Sequence, residues 1–139
     1  MSSYLNIYLV PKADNEEAKP LLLSSFTRNS HVYQYIQDNI SISFFGMEDE
    51  IQYTELTKED ILLVINDIKK DIDDYRKRID IYYKIKKSSG SVSEIVNTVI
   101  ELEELIAELT DALYTIEFIY GIITDLSFSD FKKVVANID

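Results

Sequence analysis

Along residues 4–10 the chain alternates, with Leu5, Ile7 and Leu9 on one parity and Tyr4, Tyr8 and Val10 adding the aromatic and β-branched side chains that suit a pleated surface. Pro11 follows and removes a ladder donor, so the pattern predicts a strand ending there. The polar stretch 12–19 reads as a solvated loop. After Pro20 the run Leu21, Leu22, Leu23 to Phe26 again has strand length, and a hairpin joining the two strands is the simplest arrangement. Thr27, Asn29 and Ser30 can each accept an orphan backbone N–H, and Val32, Tyr33 and Ile36 recur at three-and-four spacing, which predicts a short helix closing near Asn39. Residues 40–45 alternate until Gly46 breaks them, 47–50 read as a turn, and 51–54 as one more short strand.

The pattern changes period after residue 56. Thr57 stands three residues before Asp60, a variant of the capping box, and the acids Glu59 and Asp60 suit a helix N-terminus. From there Ile61, Ile65, Ile68, Ile72, Tyr75, Ile79 and Tyr82 follow alternating four-and-three spacing, the 3.5-residue period of a coiled-coil seam. Residues 88–91, rich in Ser and Gly, interrupt it. Ser91 and Glu94 form a second capping box, and Ile95, Val99, Leu102, Ile106, Leu109, Leu113, Ile116, Tyr120 and Ile123 repeat the same spacing. Two matched heptad helices joined by a short loop predict an antiparallel hairpin roughly 45–50 Å long.

The second helix carries more apolar surface than one seam requires. Leu105, Ala112, Ile119 and Leu126 recur every seven residues beside the seam, with Ile122 next to them. Some of this stripe is expected to receive the N-terminal sheet and an amphipathic tail helix over 129–138, where Phe131, Val134, Val135 and Ile138 fall at i, i+3, i+4 and i+7. The rest predicts a homo-oligomer interface built on Leu105, Ala112, Ile119, Ile122 and Leu126. The expected architecture is α+β, a single domain over 1–139. A small mixed α/β unit with an antiparallel sheet occupies 1–56, and the helical hairpin with a short C-terminal helix occupies 57–139.

Charge refines this picture. The 139 residues hold 25 Asp plus Glu against 14 Lys plus Arg, a formal net charge of −11. The excess is uneven: residues 58–87 carry nine bases and seven acids, while residues 88–139 carry two bases and ten acids. Arg76, Lys77, Arg78, Lys84, Lys86 and Lys87 on the first helix would lie beside Glu94, Glu101, Glu103, Glu104 and Glu108 on the second, so ion pairs across the hairpin are expected to fix its register. With no Cys there is no thiol nucleophile, disulfide framework or zinc ribbon. No apolar run approaches the roughly 20 residues of a membrane span, and the opening residues 1–4 lack the bases that begin a signal peptide. A soluble, cytoplasmic protein with no membrane partner is the expectation.

The chemistry is sparse. His31 is the sole imidazole, so a Cys–His pair is impossible and any Ser–His–Asp arrangement depends on this one residue. The acidic face Glu101, Glu103, Glu104 and Glu108 lacks the Glu-x-x-His pairs of carboxylate-bridged metal helices, and Asp71, Asp73 and Asp74 lack the glycine of a calcium loop. Three glycines leave no room for a phosphate-cradling loop. No enzyme activity, metal or cofactor is expected. The best candidate for ligand contact is Arg28, Asn29, Ser30, His31 and Tyr33: a base at a helix N-terminus, where backbone N–H groups favour anions, with an aromatic ring nearby. A nucleotide or other small anion would suit it. The plainer reading is a helix cap with an arginine paired to a local acid. Direct binding of duplex nucleic acid is not expected, because the only basic patch is opposed by acids. The acidic surface suits the converse role of occupying the basic cleft of a nucleic-acid-binding protein.

In its N-terminal third, through residues 4–11 (Tyr-Leu-Asn-Ile-Tyr-Leu-Val-Pro) and 25–33 (Ser-Phe-Thr-Arg-Asn-Ser-His-Val-Tyr), the chain resembles small, acidic, cysteine-free accessory proteins encoded by bacteriophages. That resemblance implies no activity in itself. It implies a phage accessory protein of the host cytoplasm, a class that includes inhibitors and small-molecule sponges acting against bacterial defences. The lack of a catalytic constellation on an elongated acidic scaffold favours a protein that sequesters a small ligand or blocks a host protein. The alternative is a structural or assembly protein that uses the hairpin as an oligomerisation strut.

Overall fold

The computed structural model describes residues 3–13, 19–44, 51–86 and 92–139. Strands β1 (Tyr4–Pro11) and β2 (Leu21–Thr27) form the expected antiparallel hairpin, with Leu5 opposite Phe26 and a bulge between Ile7 and Tyr8. Helix α1 (His31–Asn39) follows, capped as its sequence dictates: Ser30 Oγ accepts from the Tyr33 backbone N–H at 3.2 Å. A two-residue strand β3 (Thr54–Glu55) leads into α2 (Lys58–Lys86), where Thr57 Oγ1 accepts from the Asp60 N–H at 3.1 Å. Helix α3 (Val92–Thr124) returns antiparallel, a single 3₁₀ turn spans Leu126–Phe128, and β4 (Phe131–Ile138) ends the chain.

The last element corrects the sequence reading. Residues 131–138 form a strand, not a helix, inserted between β1 and β3 so that the sheet order is β2–β1–β4–β3. Val134, Ala136 and Ile138 face the helices while Val135 and Asn137 are buried on the opposite side. A strand buried on both faces places apolar residues at both parities, and over eight positions that pattern also satisfies a helical period. The β-branched Val134, Val135 and Ile138 then favour the strand. The helical hairpin is therefore an insertion between two adjacent strands, and the boundary drawn at residue 56 does not separate a sheet from a helical unit. Residues 40–43 are not a strand; Phe44 alone bridges Ile138, and Thr54 Oγ1 accepts from the Ser43 N–H at 2.7 Å. The expected turn at 47–50, the loop core at 14–18, the Ser/Gly break and the cap at Ser91 fall outside the described residues.

On the outer sheet face Asn6 lies opposite Asn137 in register, and both are buried. Asn6 Nδ2 donates to Asn137 Oδ1 at 3.3 Å and to Asp139 Oδ2 at 3.1 Å, and Ser25 Oγ donates to Asn6 Oδ1 at 2.7 Å. Tyr8 and Tyr53 meet edge to face at 5.3 Å between ring centres on this side, where burial pushes the Tyr8 hydroxyl pKa up. A one-residue slip of β1 against β4 would carry these amides into the core, so the row pins register.

The apolar core joins Leu5, Ile7, Val134 and Ile138 of the sheet to Ile36 of α1 and to the lower half of the hairpin, where Ile61, Ile68, Leu109 and Ile116 are fully buried. The two helices, about 43 and 50 Å long at 1.5 Å per residue, continue beyond it. There, among the described residues, only seam residues such as Ile79 and Val99 are buried. Helix α1 lies along one flank of the seam, and this corrects a second expectation. Ala112 and Ile119 are 6% and 2% exposed inside this chain's own core, which removes them from the expected oligomer interface, while Leu105, Ile122 and Leu126 are half-buried against that core.

Candidate functional site

Ser30 starts α1 so that its first turn points His31 at α3 and its second and third turns run beside α2. His31 Nε2 lies 2.9 Å from Glu108 Oε2, the Tyr35 hydroxyl donates to Asp71 Oδ2 at 2.5 Å, and Asn39 Nδ2 donates to Asp67 Oδ2 at 2.9 Å. These three contacts moor the helix to both arms of the hairpin. Burial, reinforced by the Asp71 carboxylate, raises the Tyr35 hydroxyl pKa far above its ordinary value of 10.0, so it remains a donor at neutral pH.

A cavity of about 390 Å³ opens where the three helices meet. Asp38, Asp67 and Asp71 line it together with Tyr35, Tyr75 and His31, over a floor of Leu105 and Leu109, and among the described residues no Lys or Arg lines it. Negative charge in a concave site with partly apolar walls concentrates field lines and attracts cations. Among the described residues no group of three His, Cys, Asp or Glu is placed to hold a metal ion. An ammonium or guanidinium on an alkyl stem is complementary to such a lining of carboxylates, tyrosines and leucines.

The sequence-derived candidates separate in space. Arg28 and Asn29 are exposed in the turn before α1, Ser30 is spent as its cap, and Tyr33 is 4% exposed in the core, so of the five only His31 reaches the cavity. No family model, no curated protein and no solved structure matches the chain. Reading the sequence missed Asp38, Asp67, Asp71 and Tyr35 as a group. Their one local signal is that Asp67 and Asp71 are one helical turn apart on the same flank of the α2 seam as buried Val64.

The acidic face is divided. Glu101, Glu103 and Glu104 are exposed along α3, while Glu108 is held by His31. The expected ion pairs across the hairpin are not formed among the described residues: Lys77 pairs with Asp73 on its own helix at 3.0 Å, and the Arg78 guanidinium lies 5.4 Å from the Tyr75 ring centre. Long exposed side chains gain little from pairing in water, so proximity alone does not bring them together. Lys87 lies outside the described residues. No described helix is long and apolar enough to cross a membrane.

Proposed function

We propose that this is a non-enzymatic binding protein of the phage accessory type, acting in the cytoplasm, that blocks a basic surface of a host protein by taking a lysine or arginine side chain into the cavity between α1, α2 and α3. The observation that carries the reading is the lining: Asp38, Asp67 and Asp71 converge on one concave site without a described Lys or Arg among them. The net charge of −11 supports it by steering a basic partner toward the site from a distance. The same lining disfavours a nucleotide or other small anion, which would meet three carboxylates, while Arg28 stands outside in an exposed turn.

Fluorescence anisotropy with a labelled arginine-rich peptide tests this. Binding to the wild type should weaken tenfold or more in Asp67→Asn/Asp71→Asn, corresponding to about 1.4 kcal/mol. Glu94→Gln/Glu104→Gln, a loss of equal charge away from the cavity, should change it far less. Equal losses in the two variants would reduce the effect to general acidity, and a nucleotide-sized mass retained in native mass spectrometry would replace the cationic reading with the anionic one. The strut is the second reading, favoured by the half of the hairpin that projects past the core.

A further inference from the structure

In an antiparallel pair of heptad helices each seam has two flanks, and the two helices contribute matching positions to each. One flank, with Val64 and Asp71 on α2 and Leu105, Ala112 and Ile119 on α3, is occupied by α1 and the core. The other is formed by Leu62, Lys69, Arg76 and Tyr83 on α2, at seven-residue spacing, and by Val96, Glu103, Thr110 and Glu117 on α3. No described element of the chain covers it. Leu62, Tyr83, Ile100 and Tyr114 on or beside this flank are 43%, 47%, 46% and 65% exposed, and near the tip Tyr83, Val96, Ile100 and Glu103 line a groove of about 150 Å³.

Charge is sorted on this flank. In the row bordering the seam the bases, Lys69 and Arg76, are on α2 and the acids, Glu103 and Glu117, on α3, with Asp73 and Asp80 one row further out on α2; among the described residues Lys69, Arg76, Glu103 and Glu117 form no salt bridge within the chain. Lys58 stands over the Tyr120 ring at 5.7 Å and Tyr83 shares a groove with Val96, which sets Arg76 at the level of Glu103. A two-fold axis parallel to the hairpin preserves that level. It lays α2 of one copy antiparallel against α3 of the other, so that Arg76 meets the second copy's Glu103 and Lys69 approaches its Glu103 and Glu117. We infer that the open flank binds a second copy of this chain, the two hairpins closing into a four-helix bundle with Tyr83, Ile100, Leu62 and Tyr114 in the new core. The face, roughly 32 Å from Leu62 to Tyr83 and roughly 20 Å across two helices, offers roughly 640 Å² per partner, in the lower part of the roughly 1,200–2,000 Å² total of a stable interface. Whole chains of −11 repel one another, and the Arg76–Glu103 contact, made twice about the axis, offsets part of that repulsion at the interface.

Sedimentation equilibrium of the full chain at submillimolar concentration tests the inference. The wild type should be a dimer, and Tyr83→Glu/Ile100→Glu a monomer with unchanged helical circular dichroism. Arg76→Glu should weaken the dimer about tenfold and the added Glu103→Arg should restore it, a readout that stands even if the first variant unfolds. Ile81→Glu, on the opposite side of the same helix end, should leave the dimer intact. A monomeric wild type, a dimer untouched by Tyr83→Glu/Ile100→Glu in folded protein, a charge swap without rescue, or dissociation by Ile81→Glu would each overturn it.

Discussion

The two halves of the helical hairpin share one heptad grammar and have different surroundings. At the base, Ile61, Ile68, Leu109 and Ile116 belong to a core that also contains the sheet and α1. Toward the tip the same spacing continues through Ile79 and Val99, but nothing beyond the opposing helix covers it among the described residues. A heptad repeat thus specifies which residues meet across two helices, and burial by a third layer decides how much each contact is worth.

Truncations at the two ends should separate most widely. Ile68→Ala and Ile116→Ala, both at 0% exposure, are expected to cost about 2–5 kcal/mol in urea denaturation. Ile79→Ala, at 8% exposure in a single seam, is expected to cost about 1–2 kcal/mol. Equal costs would mean that the tip is covered as fully as the base. Measured on protein dilute enough to be monomeric, amide hydrogen exchange reads the same contrast without substitution: amides at 76–84 should exchange through local opening, and those at 61–72 only through global unfolding.

The moorings of α1 come next in size. Tyr35→Phe removes the donor to Asp71 and is expected to cost about 1 kcal/mol, since the pair is only partly buried. Because the folded-state pKa of Tyr35 is raised, its contribution is complete below about pH 10, the ordinary value, and is lost as pH climbs toward the folded value. The wild type should therefore lose stability in strong alkali, and Tyr35→Phe should show a shallower decline there. The smallest effect belongs to the fully exposed pair of Lys77 and Asp73, where Lys77→Ala should leave the denaturation midpoint unchanged.

Both helices of the hairpin were legible because a period sustained over seven or nine positions has few other readings, and α1 because Ser30 marks its start. β4 was not, since its apolar residues, buried on both faces from Val134 to Ile138, fit a helix as well as a strand. The wide apolar stripe of Leu105, Ala112 and Ile119 was seen, and its meaning was reversed: it demanded a third partner, and the chain's own α1 and core supplied it. The cavity depends on that docking. His31, Asp38, Asp67, Asp71 and Leu105 are remote in sequence and converge only after α1 chooses its flank of the seam, a choice made by tertiary packing and absent from any local pattern.

The acidic junction as the binding site is tested most directly by an NMR titration of the isotope-labelled chain with an unlabelled arginine-rich peptide. The account predicts saturable shifts concentrated at residues 31–38, 67–71 and 105–109, with the sheet unaffected. Shifts spread evenly over all exposed acids, or confined to the turn at Arg28, would contradict it.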